Sequence, residues 1–531
     1  MIRIAMIGGG PKCLFALLEL NDLLAGDGAG LVQVDVYDPY PPGAGRVWNA
    51  GQPRELRLNV NSRIIDASSS LCAQTFNDYR ARQAPESSHD AFPPRALVGE
   101  YLSEQFRLLA RQGTLAVTHR AMAVEQLERH GEQWQVATST GSGIYDEVVL
   151  ATGHGLAGTG REALHGDMIP AAELTVEQSA QAMRKVPAGA EVQIRGAALT
   201  AYDVAMVLTE GRGGRWEPMA GGSPDALKYL LSGDEPRLIT MVSRHGIPMT
   251  PKPQGIDSTA QRILDSYKLQ LRQWGSSGTG EIRQMWRILL DCAIDIADAT
   301  QIAASEESLA RTVRKGRSDQ FSTQSNPFEQ IRYSLDAHHG RNPHSQEWVW
   351  AVVWSGLYSE LVVALARFQW DPQDRKEFNA AAVNLERMAF GPPAPTAQKL
   401  LALHEAGMLR HERAGQGGAG ETIRIDAVTA PAGVLSGPCP QGEPASELIR
   451  GLLRAGHIKI RPGERGLLTD TDGTCITAEG SRNESLAALG RPTEDPTLGH
   501  DTLNRALHPE YRGWSQRIIA QVNARNRKVA Y

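Results

Sequence analysis

A chain of 531 residues can bury a large core in two or three structural units, and its 55 basic and 60 acidic side chains leave a net charge of only −5. No lysine- or arginine-rich run marks a nucleic-acid surface, and no uninterrupted apolar stretch reaches the roughly 18–20 residues that span a bilayer. Five isolated cysteines (Cys13, Cys72, Cys292, Cys439 and Cys475) form no CxxC pair, which argues against zinc and for a reducing cytoplasm; the apolar start, broken by Arg3, does not read as a signal peptide.

In chain order, Ile2 to Ile7 reads as a short buried strand that runs at once into Gly8-Gly9-Gly10. A helical run starts near Pro11 and Lys12, both candidates for cofactor binding, with Leu14, Leu17, Leu18 and Leu24 near one face. A second apolar segment, Leu31 to Tyr37, stops at Asp38. Strand, glycine turn, helix, strand and terminal acid are the parts of a dinucleotide-binding βαβ unit. Gly8 permits the tight turn, Gly10 lets a pyrophosphate approach, and the helix start supplies N–H groups and a positive dipole end. Asp38 would bond ribose hydroxyls and repel a 2′-phosphate, so this site is expected to hold FAD or NAD. Cys13 stands at the third glycine position.

The loop Pro39 to Trp48 is rich in proline and glycine, and its Arg46 and Trp48 read either as cofactor contacts or as a plain surface turn. Leu56 to Arg63 alternates apolar and polar side chains, and Asn59 or Asn61 would bond a flavin ring or nicotinamide amide, or else shape a turn. Another helix starts at Phe92-Pro93-Pro94-Arg95, and Val124 to Val136 reads as a hairpin turning at His130-Gly131. The strand ending in Ala151-Thr152-Gly153 is the kind that passes close to a bound cofactor, making Thr152 and Gly153 candidates.

A second strand–turn–helix starts at Glu191, with Gly196, Ala198 and Ala201 in the three fingerprint positions. Its next strand ends in Ser243-Arg244-His245; a hydroxyl and a guanidinium there suit the 2′-phosphate of NADPH, the alternative being a degenerate domain kept for packing. Residues 255–410 are helical in pattern, and Trp348, Trp350, Trp354 and Tyr358 mark either an aromatic pocket or a core. His338, His339 and His344 lack the spacing of a metal site. Gly415 to Gly420 is the clearest flexible connection. Beyond it, strands are expected at Thr422 to Val428, Leu467 to Ile476 and Ser485 to Leu489, with a helix start near Asp501 and Thr502 under the pyrimidine edge of a flavin. The expected fold is α/β, with two Rossmann-like dinucleotide-binding domains and a helical insertion. The expected domains are 1–158, 159–410 and a return to the first over 421–531.

Ile7-Gly8-Gly9-Gly10-Pro11, Asp38 to Trp48, Phe92 to Leu102, Ala151-Thr152-Gly153, Leu208 to Gly214 and Leu489 to Glu494 together resemble the FAD/NAD(P)-binding two-dinucleotide flavoproteins. Among them are NADPH-dependent amino-acid N-hydroxylases, including aspartate monooxygenases that form nitrosuccinate. The resemblance implies FAD and NADPH as cofactors, addition of O₂ at the flavin C4a carbon, and transfer of one oxygen from that hydroperoxide to an amine. Such chemistry asks for water exclusion and substrate positioning, not for a catalytic triad, and none is identified. For an anionic amino acid, Arg63 and Arg491 would clamp carboxylates. The alternatives are an FAD oxidase or dehydrogenase with a vestigial second domain, and a flavin-binding protein without activity.

Overall fold

The computed structural model describes residues 1–24, 30–83, 85, 89–153, 168–219, 226–276, 281–321, 326–415, 422–429, 431–436, 442–444, 446–493, 498–499 and 502–529. They divide into two units: Met1–Arg54, Asn61–Gly166 and Ala430–Tyr531 form the first, and Glu55–Val60 with Asp167–Thr429 the second.

In the first unit, strand β1 (Ile2–Ile7) is buried at every residue but Arg3, the pattern of a parallel strand covered on both faces. Helix α1 (Pro11–Leu23) crosses to β2 (Val32–Tyr37), which lies parallel to β1 and carries β3 (Ala116–Arg120) on its far side. Helices α2 (Phe76–Gln83) and α3 (Arg95–Gln112) fill the crossover between β2 and β3. An antiparallel meander follows, β4 (Val124–His130), β5 (Gln133–Thr138) and β6 (Gly141–Tyr145), with the hairpin where the sequence places it. The chain then returns to β1 as parallel strand β7 (Glu147–Leu150).

The second unit has a five-stranded parallel sheet. Its strands are β8 (Ile169–Pro170), β9 (Glu191–Arg195), β12 (Leu238–Ser243), β13 (Leu409–Arg413) and β14 (Ile423–Asp426), in the spatial order β13-β12-β9-β14-β8. Short helices α4 (Ala171–Thr175) and α5 (Ala180–Arg184) precede β9, and α6 (Leu199–Leu208) and the hairpin β10 (Arg215–Pro218) and β11 (Leu227–Leu230) precede β12. Between β12 and β13 run α7 (Ser258–Ser276), α8 (Ile282–Ala299), α9 (Glu306–Lys315), α10 (Pro327–His338), α11 (Gln346–Leu365), α12 (Pro372–Ala389) and α13 (Ala394–Glu405). Phe328 and Ile331 of α10 and Leu400 and Leu403 of α13 join Val192, Ile194, Ile239 and Ile425 of the sheet in one core. Helix α11 is long and apolar enough to cross a membrane, but most of it is buried against α7, α8 and α12. Trp350 and Trp354 are part of that packing, so they are core residues and not a pocket wall, and Trp350 Nε1 donates to the Leu309 carbonyl at 3.0 Å.

The remainder of the chain completes the first unit. After the pair β15 (Leu435–Ser436) and β16 (Glu443–Pro444) and helix α14 (Glu447–Arg454), β17 (Thr474–Ile476) and β18 (Arg482–Ala488) extend the sheet to the order β17-β18-β7-β1-β2-β3. Helix α15 (Glu510–Val529) lies against α1, with Phe15 and Tyr511 edge to face at 6.2 Å. On the opposite face, Ala5, Val148 and Leu486 pack with Trp134 of the meander and Ile449 and Leu452 of α14.

Three expectations shift. The strand expected at Thr422 to Val428 is β14, but it pairs with β9 and β8 in the second sheet, so the return to the first unit starts after it. An apolar run specifies a strand and not which sheet receives it, and here Ile425 finds a fully buried place between β9 and β8. Leu56 to Arg63 forms no strand: Glu55–Val60 joins the second unit, and Asn61 accepts from Arg63 N at 3.1 Å to cap a single 3₁₀ turn, Ser62–Ile64. Of Leu467 to Ile476 only Thr474–Ile476 is a strand, while Leu467 and Thr469 make isolated bridges to Ile460 and Cys475. Gly415 is described, while 416–420 lie outside the described residues.

Inside the first unit, Glu147 at the start of β7 is completely buried and its carboxylate is gripped by Arg517 of α15, at 2.5 and 3.1 Å, with Trp514 Nε1 at 3.3 Å. This two-pronged pair is the polar lock of α15 onto the sheet. Replacing Arg517 with Met removes one partner and strands a buried carboxylate, so the Arg517→Met variant is expected to lose about 3–5 kcal/mol of stability in urea unfolding. A loss below 1 kcal/mol would show that the pair does not hold α15.

Candidate functional site

In the first sheet the crossovers run one way from β1 to β2 and β3, and the other way to β7 and β18, so the switch point lies between β1 and β7. Ligands of open α/β sheets bind outside the carboxyl ends of strands at that point. Here Gly8 follows β1 with φ +98°, and a Cβ on it would lie 2.5 Å from the Ala151 carbonyl oxygen and 2.9 Å from Thr152 Cα. Only glycine suits both the dihedral and the approach. Gly10 is the opposite case: its φ is −74°, and an added Cβ meets nothing within 4 Å. The helix that follows has no side-chain cap and no acid in its first turn, leaving its N–H groups for an anion.

Asp38 braces this turn. Its carboxylate accepts from Gly9 N at 2.6 Å and Tyr40 N at 2.8 Å, and its remaining lone pairs suit ribose hydroxyls. The loop after it folds back, Gly43 N donating to the Gly9 carbonyl at 2.7 Å, and a Cβ on Gly45 would lie 2.9 Å from Gly10 Cα. Arg46 is exposed on this loop, while Trp48 is half-buried with its backbone tight against Gly99 of α3. The Thr152 hydroxyl is buried without a hydrogen-bond partner among the described residues, and Gly153 has φ +56°. An open Gly10 face, an uncapped helix start and an orphaned hydroxyl together fit the phosphates and sugar of a dinucleotide.

The Lys12 ammonium donates to the Thr502 carbonyl at 3.2 Å. Asp501 lies outside the described residues. Arg63 is exposed, and Arg491 is half-buried, its carbonyl accepting from Gly433 N at 2.7 Å. The structure therefore gathers Gly8, Gly10, Asp38, Thr152 and Gly153 at one switch point and ties Lys12 to Thr502. It places Asn61 as a turn cap, and Asn59 belongs to the second unit.

The second unit repeats the arrangement between β9 and β14. Gly196 has φ +115°, donates to the Val242 carbonyl at 2.8 Å, and would set a Cβ 3.3 Å from the Ala427 carbonyl oxygen. Ala198 caps α6 with no side-chain bond, and Ala201 is fully buried. At the end of β12 the Ser243 hydroxyl lies 2.8 Å from His411 Nε2 and accepts from Gly246 N at 3.1 Å. Arg244 is exposed, and Arg413, in register with Ser243 on β13, is exposed as well. Sequence reasoning missed Arg413 and His411, since only the β12–β13 pairing brings a residue about 170 positions away beside Ser243. Burial, then the charge of Arg387, pushes His411 down to about 4, so it is neutral at physiological pH.

Residues 5–155 match the family model described as FAD-NAD(P)-binding. The chain is 33% identical over 270 residues to the nitrosuccinic acid synthase of Aspergillus oryzae, covering 46% of this chain and 40% of that protein. It is 29% identical over 339 residues to an L-aspartate N-monooxygenase (nitrosuccinate-forming) of Streptomyces cremeus, covering 54% of this chain and 50% of that one. The matches thus span about half the length of these relatives or less. Among solved structures, L-lysine 6-monooxygenase from Pseudomonas syringae is 12% identical over 99% of both chains, with a TM-score of 0.47. The resemblance read from the sequence motifs, to FAD/NAD(P)-binding flavoproteins and to aspartate N-monooxygenases, stands on the family and sequence matches.

Two outcomes follow from the geometry. The Gly10→Ala variant is expected to unfold within a few tenths of a kcal/mol of the parent, since its Cβ meets open space, yet to bind dinucleotide at least about tenfold more weakly in calorimetric titration. Unaltered affinity would move the pyrophosphate elsewhere. For His411, whose folded pKa lies below its ordinary value of 6.5, the unfolded chain takes up the proton first. The stability that neutral His411 contributes is therefore present above pH 6.5 and lost as pH falls toward 4. His338, also pushed down to about 4 by burial and then by its histidine neighbours, has the same sign. His411→Gln should therefore remove one proton from the slope of unfolding free energy against pH in that window, not all of it.

Proposed function

We propose that the chain is an FAD-dependent, NADPH-consuming monooxygenase that N-hydroxylates a small amino acid of the aspartate type. The observation that carries this reading is a pair of glycine turns at switch points, followed by opposite chemistry at the end of the next strand: Asp38 after β2 in one unit, and Ser243, Arg244 and Arg413 around the end of β12 in the other. A carboxylate suits free ribose hydroxyls, as in FAD, while paired guanidinium groups suit a 2′-phosphate. The sequence matches to nitrosuccinate-forming enzymes support the substrate class.

Reduced by NADPH, FAD supplies the activation of O₂ and the transfer of one oxygen atom to an amine. The polypeptide's part is positioning. Gly8, Gly10 and the first turn of α1 hold the pyrophosphate, Asp38 the ribose, and Thr152 with Gly153 the backbone passing the cofactor. In the second unit Gly196 opens the turn, and Ser243, Arg244 and Arg413 take the 2′-phosphate. Arg46 and Trp48 cover the cofactor, Arg63 and Arg491 clamp the substrate carboxylates, and Asn59 and Asn61 bond ring or amide edges. The first unit is the FAD domain and the second the NADPH domain.

Ala198 favours a second reading: it puts a methyl group where the first turn has the bare Gly10, which suits an FAD oxidase or dehydrogenase whose second nucleotide site is vestigial. NADPH oxidation screened across the amino acids, aspartate first, separates the two. Amino-acid-dependent consumption of NADPH and O₂ with a hydroxylated amine as product is expected, and failure of NADPH to reduce the bound flavin would leave only the second. Arg244→Ala should weaken NADPH by about tenfold or more while changing NADH little, because only NADPH carries the extra phosphate; equal losses would move the phosphate site.

A further inference from the structure

Lys12 occupies the first turn of α1, where a lysine would ordinarily be assigned to the pyrophosphate. Its ammonium is engaged elsewhere. It lies 2.8 Å from His508 Nε2 and 3.2 Å from the Thr502 carbonyl oxygen, and its stem runs over Gly490, where a Cβ would come within 3.0 Å of Lys12 Cγ. The His508 side chain is 1% exposed, and its Nδ1 lies 3.4 Å from Glu510 Oε1. The Thr502 hydroxyl also touches His508 Nε2.

An ammonium group only donates, so in the Lys12 contact His508 Nε2 accepts, which leaves any ring proton on Nδ1. Lys12 and His508 are thus joined through Nε2, with the Glu510 carboxylate in close contact with the far side of the ring at 3.4 Å. The segment they grip is attached at two further points: Asp66 and Leu503 with Arg505 pair through their backbones at 2.9 and 3.3 Å, and Arg505 reaches Asp22 of α1 at 2.8 Å. The Lys12 contact lies at the first turn of α1, Asp22 at its carboxyl end and Asp66 after the 3₁₀ turn, so the segment is anchored along α1 and starts at the turn that follows the glycines.

We propose that Lys12 is a positioning residue, not a phosphate ligand: with His508 and Glu510 it clasps the 502–508 segment to the first turn of α1 and so sets the wall that receives the part of the dinucleotide beyond its pyrophosphate. This rests on the reading that the first unit binds FAD. Removing the clasp loosens the segment, costs affinity for the whole cofactor, and leaves its adenosine diphosphate half nearly unaffected, since Gly8, Gly10 and Asp38 are untouched.

The test uses the full chain freed of flavin, with hydrogen exchange followed at the 502–508 amides and FAD and ADP titrated separately by calorimetry. Lys12→Met and His508→Leu should each speed exchange in that segment and raise the Kd for FAD about tenfold or more, with ADP within about threefold. The double variant should be no worse than either single one, because both remove the same interaction. Lys12→Arg, which keeps the charge and the donors, should restore both readouts and guards against a misfolded Met variant. Equal losses for FAD and ADP, or unchanged exchange at 502–508, would overturn the clasp and return Lys12 to the phosphate. A parent chain that binds ADP but not FAD would remove the flavin reading itself, a failure visible before any variant is made.

Discussion

The close approach of two backbone segments at the carboxyl end of β1 governs the first unit. Gly8 and the Ala151 carbonyl come nearer than any side chain permits, and Gly8 must also adopt a positive φ to release the chain into α1. Those two demands fix the direction of α1, and with it the place of its free N–H groups. In the second unit Gly196 also has a positive φ, while its approach to the Ala427 carbonyl is looser, 3.3 Å for an added Cβ. Both turns sit where neighbouring crossovers diverge, so the cleft follows from strand order and the glycine keeps it open.

Around this backbone frame the polar groups serve the fold before any ligand arrives. The Asp38 carboxylate already holds Gly9 N and Tyr40 N, so the turn is shaped in advance and a ribose would meet an acceptor already fixed in direction. Mid-strand on β2, buried Asp35 is satisfied by Tyr145 at 2.7 Å and Arg120 at 3.1 Å, which joins β2 to the end of the meander and to β3. In the second unit, half-buried Arg387 donates to the carbonyls of Pro248 and Gly316 at 3.1 and 2.7 Å, holding the loop after β12. Burial lowers its pKa to about 10, still well above neutrality, so it keeps its charge.

Local chemistry was readable in the sequence; partnership over distance was not. The glycine triplet, the terminal Asp38, the His130-Gly131 turn and the Ala-Thr-Gly strand end each depend on neighbours a few residues away, and the structure places all of them as read. The sheet that takes β14 depends on Val192 and Ile169, more than two hundred positions upstream, which no apolar run encodes. Arg413 reaches Ser243 only through strand register. Asn61 read either as a ligand of ring or amide edges or as a turn residue, and in the structure its Oδ1 accepts from the Arg63 N–H of its own turn. Lys12 was placed by its position on the helix, whereas the direction of a long flexible side chain is set by what lies opposite it.

The first unit is discontinuous: β1 and the glycine turn come at the start of the chain, while β17, β18 and α15, which flank β7 and cover α1, come after residue 470. During synthesis the opening βαβ segment leaves the ribosome with its sheet edge and one helix face bare, and it must wait for more than four hundred further residues. The second sheet, drawn almost wholly from 167–429, is complete earlier and can form as a unit in the interval. In the nascent chain the first unit therefore closes only after the second sheet has been made.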